Sequence, residues 1–118
     1  MAQDYRAPTT DADRIKAGLA LQLVAASTGV PVETMTTRER LGLRACRARR
    51  LALYLAHVAF GWPLEWVGHA FGLNRATVSN ACRWAEDERD RPIVDALLDR
   101  LEDCVRRIFD ADRCELTA

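Results

Sequence analysis

The chain has 118 residues, 49% hydrophobic and 29% charged, and its 17 basic residues balance 17 acidic ones. That length suits one domain with a single modest core, and bulk charge selects no partner. No apolar run approaches the roughly 20 residues of a membrane span. Cys46, Cys82, Cys104 and Cys114 lack paired ligand spacing, and His57 and His69 lie out of register with them, so neither a metal nor a cofactor is expected.

Taken in chain order, residues 1–11 read as a disordered leader, too short and polar for a signal peptide. Without such a signal, a cytoplasmic location with reduced thiols is expected. Ile15, Leu19, Leu23 and Ala26 share one face of a helix predicted over 12–27, closed by Thr28 and Gly29. Residues 31–35 predict one short helical turn and 36–42 a basic loop. The segment 44–60, with Leu51, Leu53, Tyr54, Leu55, Val58 and Phe60, predicts the central helix of the core, ended by Gly61. A short helix then starts with Pro63 at its first position and carries Leu64, Val67, Gly68 and Phe71 on one stripe. Gly72 supplies a sharp turn and Asn74 caps a further helix over 75–89. The last helix, 92–110, sets Ile93, Leu97, Leu101, Cys104, Val105, Ile108 and Phe109 against Asp95, Asp99, Arg106 and Asp110, and 112–118 is a tail. The fold class predicted is all-α: a compact bundle of five to six helices, one domain over 12–111, containing a helix-turn-helix at 63–89.

The chemistry concentrates in that helix-turn-helix. Its second helix places Val78, Ala81, Cys82 and Ala85 on one face and Arg75, Ala76, Ser79, Asn80 and Arg83 on the other. Cationic donors, an amide, a hydroxyl and a methyl are the groups that read base edges and thymine methyls in a major groove. An ordinary helical hairpin with a solvated face would show the same alternation. Charge placement favours the first reading. From Arg38 to Arg83 eight arginines face two acids, a surplus of six, whereas from Glu86 onward six arginines face eleven acids. A cationic segment followed by an acidic one suits a molecule with one phosphate-facing side.

With those residues identified, Val24 to Arg83 resembles the C-terminal DNA-binding domain of the bacterial replication initiator DnaA. That family runs from a G-hydrophobic-x-V turn through a basic loop and an RxxAMxLA helix to SLxxIGxxFGGRDHTTVxHAC. Here the text is TGVPVETM, TTRER, RRLALYLA and PLEWVGHAFGLNRATVSNAC. The resemblance implies a partner in double-stranded DNA, with Arg38 or Arg40 entering a minor groove. It also implies phosphate contacts from Arg44, Arg47, Arg49 and Arg50 at the start of the central helix, and from Asn74. Base readout is expected from Arg75, Ala76, Thr77, Ser79, Asn80 and Arg83. Thr77 matches the second threonine of the signature. Asn74 and Arg75, however, stand where the family has aspartate and histidine, on a turn one residue shorter, and Ala76 replaces the first threonine. Each lost bidentate contact removes about 1 to 3 kcal/mol of discrimination, so a different target sequence is expected.

No GxxxxGK[ST] loop and no catalytic constellation is present, so an enzyme or an ATP-driven initiator is not expected. The leading reading is a nucleoid-associated transcription regulator linked to replication or cell-cycle control. The alternative is an adaptor that uses the same fold to contact a replication or transcription protein. The 92–110 helix is the candidate homodimer surface, since Leu98 and Phe109 widen its stripe; the same stripe also reads as core. Trp66 and Trp84, off the core stripes, read either as partner contacts or as shields over helix junctions.

Overall fold

The computed structural model describes residues 10–37, 41–111 and 114–116. Within them the regular elements are helices only: α1 (Asp11–Thr28), α2 (Val32–Thr36), α3 (Leu43–Ala59), α4 (Leu64–Phe71), α5 (Arg75–Glu88) and α6 (Pro92–Asp110). Residues 51–56 are all buried, a run that an amphipathic surface helix does not tolerate and that makes α3 the axis of the molecule. Helices α1, α2, α4, α5 and α6 all pack on it. Thr10 caps α1 by accepting from the Asp13 amide at 3.1 Å, which satisfies one of the orphan donors of the first turn. The predicted all-α bundle with an embedded helix-turn-helix is therefore the fold. Most of the expected leader and tail, residues 1–9, 112–113 and 117–118, lies outside the described residues, and Asp11 already belongs to α1.

Two expected faces differ. In α1 the buried residues are Ala17, Ala20, Leu21 and Val24, while Ile15 is 67% exposed, Ala26 is exposed, and Leu19 and Leu23 are half-buried. The physical reason is the partner. The buried face of α3 begins Ala45, Ala48 and Ala52, and small residues on both helices let their axes approach closely, which large side chains would prevent. In α6 the core face is Leu98, Leu101 and Val105, leaving Ile93 and Ile108 exposed. Leu98, expected to widen a partner surface, is instead fully buried. Phe109 meets the ring of Phe60 edge-on at 5.7 Å, with the Lys16 ammonium 5.1 Å from its centroid. Phe60 in turn packs on the buried Trp62.

The tie between α6 and the rest is polar as well as apolar. Arg89, at the C-cap of α5, donates to Asp95 (2.8 Å), Glu102 (2.7 Å) and Asp99, all on α6. It also lies 5.8 Å from the Tyr54 ring of α3 and donates to the Tyr54 hydroxyl at 3.4 Å. That hydroxyl donates onward to Glu86. Burial first, and then the hydrogen bond to Glu86, push the Tyr54 pKa up to about 12, so the phenol stays a donor. Burial alone would lower the Arg89 pKa, but its bonds to Glu102 and Asp95 outweigh that and raise it. Three carboxylates that would repel one another are thus gathered by one planar cation with several donors.

Replacing Arg89 leaves Glu102, whose side chain is 13% exposed, facing two other carboxylates. Arg89→Met is expected to destabilise the fold by about 2 kcal/mol, below the usual cost of breaking a buried pair because Asp95 and Asp99 remain partly solvated. Urea denaturation measures it. Arg89→Lys should recover less than half of the loss, since one ammonium cannot serve three acceptors in a fixed plane.

Candidate nucleic-acid interface

The interface begins with a backbone contact. Gly68 of α4 is buried, and a Cβ placed on it would lie 2.5 Å from the Leu73 carbonyl oxygen and 3.6 Å from its carbon. Both neighbours are main chain and cannot rotate away. The absence of that Cβ lets the turn fold back, and the Leu73 amide donates to the Gly68 carbonyl at 2.8 Å. Gly72, with φ of 71°, reverses the chain in the left-handed region where other residues are strained. Asn74 then caps α5, its Oδ1 accepting from the Thr77 amide at 2.8 Å. Val67 and Val78, both fully buried, lock the two helices onto the core. Pro63 is the N-cap of α4 rather than its first residue, so the missing N–H still costs nothing.

This arrangement fixes what α5 presents. Val78, Ala81, Cys82 and Ala85 are buried as expected, and Arg75, Ala76, Asn80 and Arg83 are exposed. Thr77 and Ser79 are half-buried on opposite flanks, Ser79 in a cleft with Tyr54, His57 and Leu64. The outward row is therefore narrower than the sequence suggests: Ala76, Asn80 and Arg83, with Arg75 at the helix start. Beyond Arg83 the helix turns acidic with Glu86, Asp87 and Glu88, so a polyanion is admitted at the N-terminal half and repelled at the other. The helix dipole favours the same end. Burial, and then Glu86, push the Cys82 pKa up to about 11, which leaves a packed, unreactive thiol.

The arginines at the start of α3 divide among three jobs. Arg50 stacks over the Trp84 ring of α5 at 5.4 Å, bringing a cation onto the flank of the outward row and covering the half-buried indole. Arg49 lines a depression of about 430 Å³ with Met35, Thr36, Thr37 and the turn residues Phe71 to Leu73, and its buried Nε has no hydrogen-bond partner among the described residues. Arg44 donates to the Thr28 carbonyl at the end of α1 and so serves the fold. Arg47 is exposed on the same side as Arg44. Arg38 and Arg40 lie outside the described residues.

One feature escaped the sequence reading altogether. Glu65, in the first turn of α4, accepts from the Nε of Arg75 at 3.0 Å, with both side chains more than half exposed. Its own backbone amide first, and Arg75 second, hold the Glu65 pKa below the ordinary carboxylate range, so it is ionised at neutral pH. The residues are ten apart and meet only because the turn folds the two helix starts together. Arg75 is therefore oriented and half-neutralised before any ligand arrives. Among the described residues no group of histidine, cysteine or carboxylate could hold a metal, and no helix is long and apolar enough to cross a membrane.

No protein-family model and no curated protein matches the sequence. The crystal structure of a DNA replication initiation factor is similar, with a TM-score of 0.66 and 28% sequence identity over 78% of this chain. The matched part is 30% of that longer chain, so this chain spans less than a third of its length. The fold is DnaA-like.

The backbone contact makes a direct test. Gly68→Ala is expected to cost at least about 2 kcal/mol in urea denaturation, in the range of overpacked cores. Gly18→Ala, where an added Cβ meets nothing within 4 Å, should be neutral or slightly stabilising.

Proposed function

We propose that the protein is a sequence-specific binder of double-stranded DNA, acting without catalysis as a transcription regulator tied to replication or cell-cycle control. The observation that carries this reading is the exposed row Ala76, Asn80 and Arg83 of α5, flanked by Arg50 on Trp84 and headed by Arg75. A flat cationic helix face with a methyl, an amide and guanidinium groups has the shape and donor set for a major groove. The similarity to a DNA replication initiation factor supports the same conclusion. In this reading Arg47, Arg49 and Arg50 grip phosphates, the loop carrying Arg38 and Arg40 enters the neighbouring minor groove, and the bound molecule resides on the nucleoid.

The target sequence differs from that of the family the chain resembles, because Asn74, Arg75 and Ala76 replace its aspartate, histidine and first threonine. Asn74 spends its oxygen on the helix cap, which leaves only its amide nitrogen for a phosphate. A homodimer would place two such faces on one site; its surface would be Ile93, Cys104, Ile108 and Phe109, the part of the α6 stripe left outside the core.

Binding to random duplex DNA at two salt concentrations tests the reading. A protein making about six phosphate contacts should lose roughly a thousandfold in affinity between about 50 and 200 mM salt. Arg75→Ala and Asn80→Ala should relax preference at particular base pairs by about 1 to 3 kcal/mol each once a site has been selected from random duplexes. Weak binding at both salts, or sequence preference untouched by either variant, overturns the assignment.

Glu65 provides a second, opposite test. Phosphates approaching Arg75 must displace or oppose a carboxylate, so Glu65→Gln should raise affinity for random DNA several-fold at low salt. The salt slope should steepen by about one unit, as one more cation becomes free to release counterions. Discrimination should fall, because Arg75 then settles on the backbone as readily as on a base. An unchanged slope means that Glu65 does not hold Arg75 back from the phosphates.

A further inference from the structure

A second surface lies on the other side of the start of α3. Thr28 at the end of α1, Val30 after it, Leu43, Ala48 and Leu51 of α3, and the side chain of Arg91 between α5 and α6 enclose an open groove of about 630 Å³. That volume is in the range of ligand clefts, about 300 to 1,000 Å³. Its floor is aliphatic: Val30, Ala48 and Leu51 are all more than 90% buried. Its rim is cationic, with Arg44, Arg47 and Arg91. Leu43, the first residue of α3, stands at the edge, a large apolar side chain that is 63% exposed.

Two kinds of polyanion could meet three arginines, and the floor separates them. A DNA backbone offers phosphates and sugars but no apolar side chain, and it would strand Leu43 against charge. A helix with leucine-class residues on one face and carboxylates beside them would satisfy both layers, its apolar residues entering the floor while its acids pair with the rim. Arg44 is already held in place by the Thr28 carbonyl, whereas Arg91 would exchange its exposed pair with Glu88, at 3.0 Å, for an acid of the incoming helix. Part of the side-chain entropy of ordering is therefore spent in the free protein. We propose that this groove docks an acidic amphipathic helix of a partner protein.

Such a site would let one molecule hold a duplex through α5 and a protein through the junction of α1 and α3, with Arg47 at the boundary of the two. It does not depend on the DNA reading, since Leu43 and Arg91 take no part in that face.

The test uses the whole chain and a labelled synthetic helix of about 18 residues, with leucines at i, i+3, i+4 and i+7 and glutamates elsewhere. The same peptide with lysine for glutamate is the control. Fluorescence anisotropy should show saturable binding of the acidic peptide and none of the basic one. Leu43→Gln and Arg91→Gln, both at exposed positions, should each weaken the acidic peptide about tenfold, with the thermal midpoint unchanged and affinity for random duplex DNA within twofold of the parent. Arg106→Gln, which removes an exposed cation elsewhere, should do nothing. Peptide binding that ignores Leu43 and Arg91 overturns the proposal. So does a parallel loss of DNA affinity in Leu43→Gln, which would give the groove to the duplex, or a change in self-association on sedimentation, which would give it to a second copy of the chain.

Discussion

Everything the α5 face can do depends on one approach of main chain to main chain, where the turn folds back over Gly68. A helix-turn-helix needs its two axes at a steep angle, and that angle is set by how near the chain leaving α4 can pass to the helix it has left. Here the limit is a carbonyl, the stiffest kind of neighbour. With it in place, Asn74 falls at the cap, Val78 enters the core beside Val67, and the row from Ala76 to Arg83 has no direction open to it but outward. The ion pair between Glu65 and Arg75 is a product of the same geometry. Packing, cap and surface chemistry are consequences of a side chain that is missing.

Electrostatics divides the molecule in a way that its zero net charge conceals. Three of the acids of α6 converge on Arg89, against Tyr54 of the central helix, where one cation offsets part of their charge. Among the described residues the arginines of α3 form no ion pair with an acid. One stacks on an indole, one lies in a depression beside the turn, and two border an aliphatic groove. The positive potential on that side is therefore less cancelled than composition implies, and a polyanion has an orientation to prefer.

Most of the fold was legible because its signals are local. Gly72 and Asn74 punctuate the turn, Pro92 opens α6, and the apolar density of 51–56 identifies a helix buried on all sides. The misread faces share a cause: periodicity weighted by side-chain size ranks Ile15 above Ala17, although where two alanine-rich helices meet, smallness is what packs. Leu98 was set aside for a partner because the helix it belongs to has more apolar residues than one face holds; which of them reach the core depends on tilt, and that is fixed by Arg89, a residue whose role is invisible without its three distant partners. Of the outward face of α5, Arg75, Ala76, Asn80 and Arg83 were readable from the 100° step between residues. The pair with Glu65 was not, because contacts across a turn follow from its angle and not from spacing.

Asn74 carries a last implication. At that position the family it resembles has an acid, and an acid would cap the helix equally well while cancelling much of the half-unit of positive charge that aligned peptides leave at the first turn of a helix. The amide side chain keeps the bond to Thr77 and leaves that charge in place. An amide at the cap thus leaves a stronger positive field at the mouth of α5 than an acid would, worth about 0.3 to 1 kcal/mol toward any anion that reaches it.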